Sequence, residues 1–239
     1  MKIRIKFAKY GCMKFIGHLD VMRFFQKAIR RANIDIKYSE GFSPHQIMSF
    51  AAPLGVGIES TGEYLDIEVD TMTSTEEMMN ALNKAMVEGM KILSVTVLPD
   101  TVKNAMASVA AAKYQVSFDR KWVDDISGKL SAFYAREHIM VTKTTKKSVM
   151  ELDLKPGIYE LWADECPEGK KKAFTITMLV DASSSGNIKP MMVIEAFAEY
   201  CQIDLPIDNC QITRIDTYTN LGTEDGERKL VPLGEVGKA

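Results

Sequence analysis

A chain of 239 residues with 46% hydrophobic and 26% charged side chains exceeds one average domain and can bury a sizeable core, which excludes disordered and fibrous classes. The opening MKIRIKFAKY alternates charge and apolar residues, and no apolar run reaches about 20 residues. Neither a signal peptide nor a membrane span is therefore expected, and the location read from this is cytoplasmic, with no membrane partner. The formal net charge of −2 conceals an asymmetry: residues 1–50 hold ten Lys/Arg against three acids and the rest twenty against twenty-nine, so an anionic partner is steered to one end.

Lys2 to Ala8 alternates strictly, Ile3, Ile5 and Phe7 against Lys2, Arg4 and Lys6, as a half-buried strand does. From about Gly17 to Ala32, Leu19, Met22, Phe25, Ile29 and Ala32 mark one face of an amphipathic helix, with Asp20 in the first turn where a carboxylate suits the free N–H groups. A short strand is predicted at about Asp35 to Ser39, then the loop GFSPHQ, whose Gly and Pro interrupt regular structure. Tyr64 to Val69 alternates as another strand. Ser74 with Glu77 three residues on is a capping-box signature for a helix to about Glu88, and Lys91 to Leu98 completes βαββαβ, the ferredoxin-like split motif.

After an alanine-rich connector, a strand is predicted at Lys113 to Phe118 and a helix on Trp122, Ile126, Leu130 and Phe133. His138 to Thr144 alternates, and Lys147 to Leu154 with Gly157 to Asp164 read as hairpin strands. Ala173 to Val180 is a central strand, Pro190 opens a helix to about Tyr200, and Gln211 to Thr217 closes the order. The fold class read from this is α+β, tandem ferredoxin-like (βαββαβ) domains, the second with an inserted β-hairpin. The implied domains are residues 1–100, a connector 101–112, residues 113–221, and a flexible charged tail 222–239.

In the usual 4-1-3-2 sheet order, Arg4 and Lys6 stand opposite Asp66 and Glu68 on a solvent-side face and pair with them, leaving Tyr64 as its one stacking ring. The first helix differs. Arg23, Lys27 and Arg30 or Arg31 share a polar face with only Asp20 to neutralise them, flanked by Lys14 and Lys37. They form either a phosphate-contact surface or a solvated helix back. In the adjoining loop Tyr38, Phe42, Ser43 and His45 have no periodic reason for burial. The rings either stack bases or anchor the loop.

His18 and His45 are candidates for metal-free acid or base work on an RNA 2′-hydroxyl, with Asp20 a further candidate acid. Capping alone accounts equally for Asp20 and for a histidine at a helix start. The four cysteines (Cys12, Cys166, Cys201, Cys210) form no CxxC pair, and two histidines without fixed spacing make no metal signature, so neither metal nor cofactor is expected.

The words KYGCMKFIGHLD (9–20) and YSEGFSPHQIMSFAAPLGVG (38–57) resemble an uncharacterised bacterial family of radical-SAM-linked proteins, encoded beside or fused behind a radical SAM enzyme. Lys9, Gly11, Phe15, Ile16, His18, Leu19, Asp20 and Arg23 match its first block. Tyr38, Gly41, Phe42, Pro44, His45, Ser49, Phe50, Pro53 and Leu54 match its second, while beyond residue 100 the likeness is limited to KPMMVIEAF (189–197) and the closing strand. Lys14 stands where Arg is expected and Gly17 where Ser is expected, which bears on any role needing a guanidinium or hydroxyl there. The resemblance implies a radical SAM partner encoded nearby and an association with RNA metabolism. It imports no activity. A fold-level likeness to CRISPR RNA-processing endoribonucleases rests on paired ferredoxin-like domains and a histidine near the first helix, but TNLGTEDG (219–226) is a poor substitute for their glycine-rich loop.

The leading expectation is an RNA-binding protein, tRNA- or rRNA-related, using Lys14, Arg23, Lys27, Arg30, Arg31, Tyr38, Phe42 and Ser43. The alternatives are a metal-independent endoribonuclease using His18 and His45, and a non-enzymatic accessory subunit of a radical SAM enzyme.

Overall fold

The computed structural model of the chain describes residues 1–119, 125–144, 149–164, 173–204, 210–222 and 227–237. The fold is α+β and divides into two compact units, Met1–Ala110 with Arg214–Ala239, and Ala111–Thr213. In chain order the elements are β1 (Lys2–Lys9), α1 (His18–Arg31), β2 (Met48–Phe50), β3 (Glu59–Glu68), α2 (Thr75–Ala85), β4 (Met90–Leu98) and α3 (Ala105–Ser108). Next come β5 (Ala111–Asp119), α4 (Ile126–Tyr134), β6 (Met140–Thr144), β7 (Val149–Asp153), β8 (Ile158–Asp164), β9 (Ala173–Asp181), α5 (Pro190–Cys201), β10 (Gln211–Asn220) and β11 (Leu230–Pro232). No helix among the described residues is long and apolar enough to cross a membrane.

In the first unit β1 runs antiparallel between β3 and β4, with β2 on the far side of β3. The alternation of β1 puts Ile3, Ile5 and Phe7 on one face, opposite Ile67, Leu65 and Glu63 in register. α1 and α2 close that face with Phe25, Ile29, Met78 and Leu82, and Phe7 and Phe25 meet at 4.7 Å between ring centroids. The Ser74 side chain caps α2 by accepting the Glu77 N–H at 3.1 Å, as its capping signature implies. α2 ends at Ala85 rather than near Glu88, because Met86 is extended and Gly89, at φ +87°, reverses the chain into β4.

Three further sequence expectations change in this unit. Leu19, counted on the buried face of α1, is 65% exposed; the helix buries Phe25 and Ile29 as expected, with Val21 and Ala28 beside them. Asp35 to Ser39 is not a regular strand but supplies two isolated bridges, Ile36 to Val69 and Tyr38 to Gln46. The reason is that the segment pairs with residues 45–47 as the chain doubles back: Ser39 N–H donates to His45 O and Ile47 N–H to Lys37 O, both at 2.8 Å. GFSPHQ is therefore the tip of a small hairpin.

The third change concerns the other face of the sheet. It does not face solvent. Arg4 stands opposite Asp66 but Lys6 stands opposite Tyr64, and their further partners come from α3, from Asp216 and from the 3-10 turn Leu233–Glu235. Arg4 donates to both oxygens of Asp66 at 2.8 and 2.9 Å and to Leu233 O at 3.1 Å. Lys6 reaches one oxygen of Asp216 at 2.7 Å while Tyr64 O–H donates to the other at 2.6 Å. Burial and Asp216 together push the Tyr64 phenol well above its usual value. Residues 214–217 lie along β3 so closely that a Cβ on Gly62 would come within 2.3 Å of the Asp216 Cα.

The segment expected as a flexible tail thus supplies, in its described part, β11 paired with the end of β10. Residues 101–110 belong to the first unit as well, and the chain returns to it at Arg214 rather than ending in the second unit. Local sequence patterns carry no record of partners so distant in the chain.

In the second unit β9 lies antiparallel between β5 and β8, with Phe133 of α4 against Phe197 of α5 at 5.5 Å. The inserted hairpin is β6 with β7, not β7 with β8. Lys155–Gly157 forms a 3-10 turn containing Pro156, which stops β7 and frees β8 to join β9. His138 Nδ1 lies 2.7 Å from Asp153 Oδ2, and Asp153 Oδ1 accepts the N–H groups of Ile139 and Lys155. Trp122 and Cys166 lie outside the described residues.

Candidate functional site

The two motif blocks, residues 9–20 and 38–57, fold onto one another. Gly57 N–H donates to Lys14 O at 2.9 Å, Glu59 accepts from Gly11 N–H at 3.1 Å and pairs with Lys14 at 3.6 Å. His18 sets its ring edge-on against Phe50 at 5.3 Å, and eight residues along α1 the Gln26 carbonyl accepts from Gln46 Nε2 at 3.3 Å. Phe50 also packs on Phe25 at 5.6 Å, so residues 46 and 50 both contact α1.

The Gln46 bond ties the base of the hairpin to α1. Phe42 at its tip is 112% exposed relative to a free residue and Tyr38 49%; Ser43 is also exposed, and Gly41, at φ +108°, makes the turn. His45 is fastened to the hairpin itself, with Nδ1 2.8 Å from Ser39 Oγ. The exposed cations nearest in sequence to Gln26 are Arg23, Lys27 and Arg30, three or four residues apart on the outer ridge of the helix. Arg23 pairs with Asp20 at 3.3 Å, both well exposed, and Arg30 donates to Gln26 O at 3.2 Å.

Not every residue singled out from the sequence joins them. Arg31 turns toward α2, donating to Ala85 O at 3.1 Å and lying over the Phe24 ring, where it borders a groove of about 760 Å³ with Glu77 and Lys84. Lys14 is committed to Glu59. His18 packs on the Phe50 ring and His45 bonds Ser39 Oγ. Asp20 bonds Arg23 and neither imidazole.

What the motif blocks stand on was not legible from spacing. Lys9, Glu63 and Arg214 are each at least 95% buried. Lys9 Nζ donates to Ile16 O at 3.0 Å, which holds the turn before α1. Arg214 donates to Pro53 O at 3.1 Å, which holds the second block, and faces Glu63 at 3.3 Å. Burial pushes the Lys9 ammonium below its usual value; Glu63 opposes that shift and Arg214 adds to it. Around the turn, Phe15, Leu19 and Val56 are 64%, 65% and 64% exposed. Among the described residues no three His, Cys, Asp or Glu side chains gather as a metal site.

These features define an α+β protein whose first unit exposes cations along α1 and an aromatic ring at the tip of a hairpin that bonds α1 through Gln46. Residues 2–190 match the family described as "Uncharacterized protein conserved in bacteria (DUF2344)", and the chain belongs to that family. No curated protein matches it. Among solved structures it is similar to a chain of a Cbf5-Nop10-Gar1 complex at 9% identity, with 90% of this chain and 48% of that one covered and a TM-score of 0.46. It is also similar to an unknown protein from Galdieria sulphuraria at 12% identity, with coverage of 89% and 97% and a TM-score of 0.25. The chain spans about half the length of the first of these.

Proposed function

We propose that this is an RNA-binding protein that contacts phosphates through Arg23, Lys27 and Arg30 and presents Phe42 and Tyr38 to bases. The observation that carries the reading is the pairing of exposed cations on the α1 ridge with a wholly exposed ring on the adjoining hairpin. A ring in water gains by stacking on a base, and unburied guanidinium and ammonium groups gain by releasing counterions from phosphates. Two ferredoxin-like units form the frame in this reading. Chain order supports it: βαββαβ up to Leu98, then β5, α4, β8, β9, α5 and β10 with the β6–β7 hairpin inserted.

Filter binding of the full chain to a mixed RNA pool across a salt series tests the proposal. Affinity should fall steeply with salt and weaken in Arg23→Ala with Lys27→Ala. Salt-insensitive affinity, or affinity that ignores both substitutions, rejects it.

A further inference from the structure

We infer that the RNA taken by this surface is unpaired at two separated points, one base stacking on Phe42 at the hairpin tip and a second on Phe15 at the turn before α1. The inference rests on the RNA-binding reading and adds a second platform and a class of ligand to it.

Phe15 lies in the 3-10 turn Gly11–Phe15, with its ring 64% exposed and the Lys14 ammonium 5.4 Å from its centroid. The surface around it is open. A Cβ added at Gly11, Gly17 or Gly57 would meet no atom within 4 Å, and the same holds at Gly41 beside Phe42. Neither ring belongs to the buried core of its unit. Glu59 pairs with Lys14 and accepts Gly11 N–H, and Asp20 pairs with Arg23.

The placement of the two rings decides the class of RNA. Phe15 precedes the first turn of α1, whereas Phe42 caps the hairpin tied to Gln26. Arg23, Lys27 and Arg30 succeed one another along the helix in steps of about 6 and 4.5 Å, a row that suits the phosphates of a strand running along it. In a duplex the base faces are hidden in the stack, so a duplex could occupy the cations but would leave both rings in water. Only bases free of pairing offer a π-face to each ring.

The test titrates the full chain with labelled oligoadenosine and with the same strand annealed to oligouridine, at low and high salt. It uses wild type, Phe15→Ala, Phe15→Tyr, and Arg23→Ala with Lys27→Ala. Wild type should prefer the single strand by about tenfold or more. Phe15→Ala should lose about tenfold on the single strand with an unchanged salt slope, Phe15→Tyr should restore it, and the ridge variant should flatten the slope. Because Phe15 is exposed, thermal melting should be the same in both ring variants. Equal, ridge-dependent affinity for both RNA forms, or no effect of Phe15→Ala, overturns the inference and leaves the RNA reading standing. Absence of salt-sensitive binding to either form removes both.

Discussion

The two faces of the first unit carry similar charge and resolve it differently. On the sheet face away from the helices, Arg4 and Lys6 are matched within the chain by Asp66 and Asp216 and covered by α3 and the segment around Leu233. On the outer ridge of α1, Arg23 pairs with the exposed Asp20 and Arg30 with a backbone carbonyl, their only partners among the described residues. A cation with an internal, buried partner contributes to folding. One left at the surface is available to a partner outside the chain, and sequence alternation alone does not separate these cases.

The comparison can be broken hardest at Asp66. Asp66→Ala leaves the Arg4 guanidinium buried without its carboxylate and should cost about 3–5 kcal/mol in urea denaturation; a loss under about 1 kcal/mol would mean the face is not sealed. A second contrast lies in the buried trio. Glu63→Gln leaves two buried cations facing each other and should cost about 3 kcal/mol, whereas Lys9→Met keeps the volume, removes one buried charge and should cost less than about 1.5 kcal/mol.

The Lys9 comparison also has a pH dependence with a definite sign. Its folded-state value lies below 10.5, so the penalty for burying the ammonium is complete below that folded value and fades as pH rises toward 10.5. Wild type should therefore gain on Lys9→Met over this window, since the unfolded chain there binds more protons. A stability difference that is flat with pH would show Lys9 to be unperturbed.

On the ridge, Arg23→Ala with Lys27→Ala and Arg30→Ala should change stability by about 0.5 kcal/mol or less while lowering the salt slope of single-strand binding by about 2. Urea midpoints and salt titrations on the same preparations separate the two effects. The smallest expected effect is at the exposed pair in the second unit. Burial alone would raise Asp153, but the hydrogen bonds from His138, Ile139 N–H and Lys155 N–H prevail and hold its carboxyl below the usual 3.8. His138→Ala should move the Asp153 midpoint upward in a carboxyl NMR titration; an unmoved midpoint would assign the depression to the two backbone donors alone.

The sequence alone determined the local pieces: the alternation of Lys2 to Ala8, the extent of α1 to within a residue or two, the Ser74 cap, and the clustering of cations and rings in residues 9–57. Each depends on neighbours within a few positions, where period and capping chemistry are decisive. Only the tertiary structure decided that Arg4 is sealed and Arg23 is not, that Leu19 and Phe15 face water, and that Lys9, Glu63 and Arg214 hold the two blocks from beneath. Those outcomes depend on partners up to 229 positions apart, as for Arg4 and Leu233. Burial is set by what the returning chain covers, a property that no short window contains.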